Sequence, residues 1–287
     1  MDTVDALRLR SLHMQGARSR LFQTSLGTLH TLDWEGLGPR PPIVLVHGLG
    51  SCASDYGSLL RWLRRRHRRV IAPDLPGHGR SQTPTVPLTA ARMTLALLEM
   101  MDRVVEEPSI MFGNSLGGIA AIRYARLRPN RVMALVLASP GGAPMGWPEL
   151  LQFKKTFDLS TNRAAMQFTR RFMGAPQPGM SFVARGVRVR MSRAGPRSLL
   201  EEVTPDVLLS PEEVQGLRPP TLVLWGDQDD VLPRHNRRFF SENLPAHGRF
   251  EVMPGLGHSP YLDDLSAFGA RLQAFVDGVL QTQNSAA

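Results

Sequence analysis

Phe112-Gly113-Asn114-Ser115-Leu116-Gly117-Gly118 is the stretch on which the reading of this chain turns. The apolar run Ser109–Phe112 leads into it and reads as a short strand; Ile119-Ala120-Ala121-Ile122 follows and reads as helix. Gly-x-Ser-x-Gly at a strand-to-helix junction predicts a tight turn with the serine hydroxyl at its apex. Small residues at 113 and 117 leave room for the turn, and Gly118 with Ala121 lets the helix lie close to neighbouring strands. The serine then stands at a helix N-terminus, whose free N–H groups and dipole favour developing negative charge. The bare pattern is common by chance, but in this setting Ser115 is the candidate nucleophile.

Outward from that turn, Ile43–Val46, Val70–Ala72, Val132–Leu137 and Thr221–Leu224 are also continuous apolar, β-branched runs that end in turn residues. Unbroken apolar character is what strands covered on both faces of a parallel sheet show. Helical spacing fills Leu59–Arg66, Leu88–Glu106, Ile119–Leu127 and Leu265–Leu280, so the chain predicts βαβ units and the α/β class. Arg20–Gln23 and Gly27–Trp34 read as two strands around a Leu26-Gly27 turn, an antiparallel start, and residues 250–253 read as the last strand. From Gly141 to about Glu213 the alternation fails, with helical spacing but no strand. An insertion that long in a compact domain is usually functional. It predicts a helical cap over 141–213, set into a core made of 1–140 and 214–287.

A serine hydroxyl is almost fully protonated at neutral pH and needs a base. In this kind of architecture the chain order is nucleophile, acid, histidine, which leaves the late His235, His247 and His258. His235 looks like part of an exposed helix start and His247 sits in a turn. His258 lies in Pro254-Gly255-Leu256-Gly257-His258-Ser259-Pro260, just after the last strand, and is the candidate base. The strand at Thr221 runs into Gly226-Asp227-Gln228-Asp229-Asp230, where Asp229 is the candidate acid and Asp227 and Asp230 are the alternatives. Its carboxylate would fix the imidazole tautomer. Val46-His47-Gly48-Leu49-Gly50 follows the Ile43 strand. The amides of Leu49 and Leu116 are the candidate oxyanion donors, with His47 read as bracing the loop.

Taken together, His47-Gly48-Leu49-Gly50, Asp74-Leu75-Pro76-Gly77-His78-Gly79-Arg80-Ser81, the Ser115 turn, Gly226-x-x-Asp229 with Pro233, and Gly257-His258 resemble the capped α/β-hydrolases. That group holds esterases, lipases and carbon–carbon bond hydrolases, and the motifs run in its order from residue 43 to 260. The resemblance implies an α/β-hydrolase fold: a mostly parallel, eight-stranded sheet with helices on both faces and an inserted helical cap. It also implies acyl transfer without metal or other cofactor, and a structural role for Asp74–Ser81.

Trp147, Phe153, Phe168 and Phe172 are candidate walls of an apolar substrate pocket; with Phe157 and Met166 they would equally form the cap's own core. Arg170, Arg171, Arg185, Arg188 and Arg190 would suit a substrate carboxylate, although such charges usually face water. The leading expectation is hydrolysis of a small or medium apolar carboxylic ester. Asn114 and Gly117-Gly118 also resemble enzymes that split vinylogous diketo acids, but many of those carry tryptophan where Ser259 stands. A non-catalytic ligand-binding protein on the same fold is the rival from another class.

With 287 residues, 42% hydrophobic and 21% charged, wholesale disorder is excluded. The +9 charge is almost all arginine, and the cluster from Arg61 to Arg69 reads as a solvated helix end, with no nucleic-acid motif to suggest otherwise. Cys52 is the only cysteine, which forbids an internal disulfide and suits a reducing, cytoplasmic setting. No apolar signal-peptide core precedes residue 30, and the longest apolar run, Val132 to Ala138, is too short to cross a bilayer.

Overall fold

Residues 3–175 and 179–286 are described in the computed structural model. Eight strands form one sheet in the order β1-β2-β4-β3-β5-β6-β7-β8. They are β1 (Arg18–Thr24), β2 (Gly27–Glu35), β3 (Ile43–Val46), β4 (Arg69–Pro73), β5 (Ser109–Asn114), β6 (Val132–Ala138), β7 (Thr221–Gly226) and β8 (Arg249–Met253). β1 and β2 run antiparallel, as do β2 and β4, while every pairing from β4 through β8 is parallel. This is the α/β-hydrolase fold.

Every residue of β3, β5 and β7 is buried. Successive side chains of a strand point to opposite faces, so an unbroken apolar run feeds two cores. Val44, Met111, Leu135 and Val223 join one cluster; Leu45, Phe112, Val136 and Leu224 join the other. On the first face lie α3 (Ala90–Val104), α4 (Leu116–Leu127) and α10 (Arg234–Asn243); on the second lie α1 (Thr3–Met14), α2 (Gly57–Arg64) and α12 (Leu265–Ala286).

Between β6 and β7 the chain forms α5 (Trp147–Lys155), α6 (Asn162–Phe172), α7 (Met180–Met191), α8 (Ala194–Glu202) and α9 (Pro211–Gln215), with no strand among the described residues. Thr161 caps α6 by accepting from the Ala164 N–H, and Ser210 with Glu213 forms a capping box on α9. The short α11 (Pro260–Asp263) links the loop after β8 to α12.

Two local expectations need correction. The arginines from 61 to 69 are largely engaged by the protein. Arg66 stacks 3.8 Å over the Trp62 ring, Arg64 lies 4.7 Å over Trp34, and Arg69 forks onto Asp33 at 2.8 Å. The first residues, read only as lacking a signal core, form α1, with Leu9 and Leu12 buried.

Candidate active site

Parallel strands deliver their loops to one edge, the carboxyl edge, where ligands of α/β sheets bind. Here β3, β5, β6, β7 and β8 are consecutive in the sheet. The residues after them are the His47–Gly50 loop, Ser115, Ser139, Asp229 and His258. Segments far apart in sequence therefore converge because their strands are neighbours.

Ser115 caps α4 with φ 54° and ψ −119°, a left-handed backbone that a non-glycine residue rarely adopts. Such strain costs roughly 1–3 kcal/mol and persists only where the surroundings impose it. They do so here. A Cβ on Gly117 would stand 2.1 Å from the Val46 carbonyl oxygen, and one on Gly113 would stand 2.5 Å from that of Gly117. The carbonyl of Ser115 accepts from the Gly118 and Gly141 amides at 2.9 and 3.1 Å, which fixes the turn from both sides.

His258 Nδ1 lies 2.8 Å from Asp229 Oδ2, and both side chains are almost fully buried. Asp229 Oδ1 accepts from the Val231 and Leu232 amides at 2.9 and 3.2 Å, so the carboxylate is held on both oxygens. A carboxylate accepts only, so Nδ1 carries the proton and Nε2 is left as the basic nitrogen. Asp227 is used elsewhere, accepting from the Gly255 amide at 2.7 Å. His235, at the start of α10, pairs with Glu149 at 3.0 Å instead.

The backbone of His258 is tied to the residue before Ser115. Asn114 Nδ2 donates to the carbonyls of Ala138 at 2.9 Å and His258 at 3.3 Å. Asn114 Oδ1 accepts from the Ser259 and Tyr261 hydroxyls, each at 3.2 Å. From the insertion, the Phe172 carbonyl accepts from the His258 amide at 3.0 Å, and the Phe172 ring packs 5.7 Å from the imidazole.

Leu49 and Leu116 line the same cavity as Ser115. Among the described residues neither amide donates to a backbone carbonyl in the turns and loops. A Cβ on Gly48 would meet the Ser115 Cβ at 3.2 Å, which measures how closely this loop passes the serine. His47 braces the loop: its Nδ1 donates to the Gly48 carbonyl at 2.8 Å and its Nε2 accepts from the Leu75 amide at 3.0 Å. Both contacts suit a neutral ring, and burial lowers its pKa. Below it, Asp74 accepts from His30 at 2.7 Å and from the Ala53 amide at 2.7 Å. Burial alone would raise this carboxyl; the His30 hydrogen bond and the neighbouring imidazoles hold it below the ordinary value.

Arg190 of α7 is buried at 8% exposure and does not face the cavity. It donates to the Gly50 carbonyl at 2.9 Å and to Asp5 at 2.8 Å, and lies 3.3 Å from Asp55. Met191 seals the same point, since a Cβ on Gly50, at φ +68°, would stand 2.5 Å from its sulfur. The insertion thus clamps the Gly48–Gly50 loop.

The cavity walls are almost entirely apolar and include Met145, Leu150, Phe153, Phe157, Leu200 and Leu232. Of the four candidate substrate contacts, Phe153 lines it and Phe172 stands over His258. Trp147 departs from expectation: it is 53% exposed at the first turn of α5 and lines no wall. Phe168 also departs, being packed with Leu159, Ala165 and Ala184 in the small core under α6 and α7. An apolar residue on a surface helix must bury its ring somewhere, and here the insertion's own core took it.

Among curated relatives, a pimeloyl-[acyl-carrier protein] methyl ester esterase of Edwardsiella ictaluri (strain 93-146) is 29% identical over 263 residues, covering 87% of this chain and 99% of the relative. A membrane phospholipase A described as a bacterial virulence factor superposes with TM-score 0.80 at 23% identity, covering 96% of this chain and 92% of that one. The 2-hydroxy-6-oxo-6-phenylhexa-2,4-dienoate hydrolase of Rhodococcus sp. strain RHA1 superposes with TM-score 0.78 at 23% identity, covering 90% and 98%. At such identities the likeness to the two structures is one of fold. Residues 43–270 match the Alpha/beta hydrolase family, to which this chain therefore belongs as an α/β hydrolase.

Proposed function

We propose that this hydrolase cleaves a small or medium apolar carboxylic ester through an acyl-enzyme on Ser115. The observation that carries the reading is the buried Asp229–His258 contact of 2.8 Å, at the same sheet edge as a serine held at φ 54°. His258 Nε2 takes the Ser115 proton as Oγ attacks the carbonyl carbon. The Leu49 and Leu116 amides receive the oxyanion, each such donor being worth about 10²–10³-fold in rate. His258 then protonates the departing alcohol, and a water deprotonated by the same ring releases the acid. No step needs a metal or other cofactor.

The insertion, residues 141–213, acts as a cap whose Phe153 and Phe157 shape the acyl site. The ester named for the Edwardsiella relative supports ester chemistry. We place the protein in the cytoplasm on the strength of its single, buried cysteine; among the described residues no helix is long and apolar enough to cross a membrane. Nucleic acid is not its partner in this reading, because the arginines from 61 to 69 largely serve internal contacts.

Similarity to the Rhodococcus enzyme keeps carbon–carbon cleavage as a second reading. Three observations weigh against it. Asn114 has protein partners on both ends of its amide, Ser259 is one of them, and Arg190 is held by carboxylates away from the cavity.

Incubation with a fluorophosphonate probe is expected to add one adduct to the intact protein and none to Ser115→Ala. p-Nitrophenyl butyrate is expected to be hydrolysed by the parent only. A folded parent that takes no adduct, or rapid bleaching of a ring-cleavage dienoate with negligible ester turnover, overturns the proposal.

A further inference from the structure

Several arginines of the core pair with carboxylates: Arg20 and Arg69 with Asp33, Arg40 with Asp277, Arg128 with Asp102, Arg271 with Glu251. In the insertion Arg190 pairs likewise, with Asp5 and Asp55, but three other arginines do not. A groove between α6, α7 and α8 is walled by Arg185, Arg188 and Arg197, and none of the three forms an ion pair among the described residues. Asp158, the one carboxylate on that wall, accepts from the Ser160 amide at 3.2 Å. Arg188 is fixed by neutral acceptors, the Ser160 carbonyl at 3.2 and 2.9 Å and Asn162 Oδ1 at 2.8 Å. Those bonds orient its guanidinium without cancelling its charge. Arg185 and Arg197 are exposed, and their guanidinium groups have no partner among the described residues.

Ala165, Met166, Ala184 and Met191 give the groove apolar patches, set among Ser160, Asn162, Ser181 and Ser192. Phe157 belongs both to this groove and to the cavity at Ser115. The two spaces thus adjoin at that side chain.

We propose that the groove is the subsite for a phosphate group, the anionic end of an amphiphilic ester whose acyl chain fills the cavity at Ser115. Three like charges gathered on one wall repel each other and attract a compact anion. A phosphate dianion offers three oxygens to three guanidinium forks, whereas a carboxylate satisfies one or two. The apolar side of the groove at Ala165, Met166 and Ala184 then carries the linker. This rests on Ser115 being the nucleophile only for the position of the acyl end; the phosphate site is tested without chemistry.

The test measures calorimetric binding of octyl phosphate and of neutral octyl glucoside to the Ser115→Ala protein, with and without Arg185→Gln and Arg197→Gln. Octyl phosphate is expected to bind about tenfold tighter or better, and the double substitution to bring the ratio of the two affinities close to one. Steady-state kinetics on the parent should agree, with monooctanoylglycerol phosphate preferred over monooctanoylglycerol through KM, and the preference lost in the double variant. Equal binding of the two octyl ligands, or a ratio that survives the substitutions, overturns the phosphate site. So does sedimentation with phosphatidylglycerol vesicles in the absence of octyl discrimination, which would give these arginines and the 77% exposed Phe182 to a lipid surface. If discrimination appears but the parent takes no fluorophosphonate, the groove stands and the ester reading falls; labelling without discrimination does the reverse.

Discussion

Three aspartates stand within four residues after β7, and the proposal gives one of them the task of holding His258. Asp229 is the one whose second oxygen is already anchored by two amides, so it presents a fixed acceptor. Asp229→Asn is expected to lower kcat on p-nitrophenyl butyrate by about 10⁴-fold, because an amide donor opposite Nδ1 favours the wrong tautomer. A loss smaller than tenfold in a normally folded variant would mean another group orients the ring. Asn114→Ala strands the Ser259 and Tyr261 hydroxyls and removes two donated bonds; a loss of roughly 1–3 kcal/mol in denaturant stability is expected. Ser115, Asp229 and His258 could be chosen from the sequence because each sits in a turn of distinctive composition. Asn114 as a buried hub could not, since Tyr261, one of its partners, lies 147 positions away.

Among the elements, the strands were the most legible, because burial on both faces writes itself as an unbroken apolar run. β3 was read to its exact ends, and the other central strands gained a residue or two. α1 was missed for a physical reason. Its apolar residues surround the helix, with Leu9 and Leu12 buried but Val4 and Leu7 exposed at 51% and 61%, so no stripe marks it. Beside the buried Leu9 and Leu12, it is held by a charge contact between Asp5 and Arg190 that no local pattern encodes. Arg190→Met removes the nearer cation from the 1% exposed Asp5 and leaves it the more distant Arg193, at 3.9 Å. Such a broken pair typically costs about 3–5 kcal/mol, and the fall in melting temperature should be largely repaired by adding Asp5→Leu. Failure of that repair would assign the loss to the Gly50 contact instead. In α5, Phe153→Ala opens the acyl wall, and the preferred p-nitrophenyl ester is expected to lengthen by several carbons; an unchanged profile would place the acyl chain elsewhere.

For the molecule as a whole, acid sensitivity follows from histidines buried neutral. His67 donates to the Pro41 carbonyl, and its other nitrogen faces Gln273; burial lowers its pKa to about 4. His78 is lowered to about 3, first by burial and then by the nearby His47. Both ordinarily titrate near 6.5, so between that value and about 4 the unfolded chain holds two protons that the native state does not. Their stabilising effect is complete above pH 6.5 and is lost as the pH falls, by about 1.4 kcal/mol per pH unit for each ring. Melting temperature should therefore drop steeply from pH 7 to pH 5, and the His67→Asn protein, though less stable at neutrality, should show a shallower slope. Equal slopes would sink the assignment.

The bond from the Phe172 carbonyl to the His258 amide has a consequence for traffic. In the proposed mechanism an outward swing of α6 would draw His258 with it, so an opened gate and a competent reaction centre would exclude each other at that end. Ligand would then pass by rotation of side chains such as Phe157, which lines both the cavity and the groove beside it.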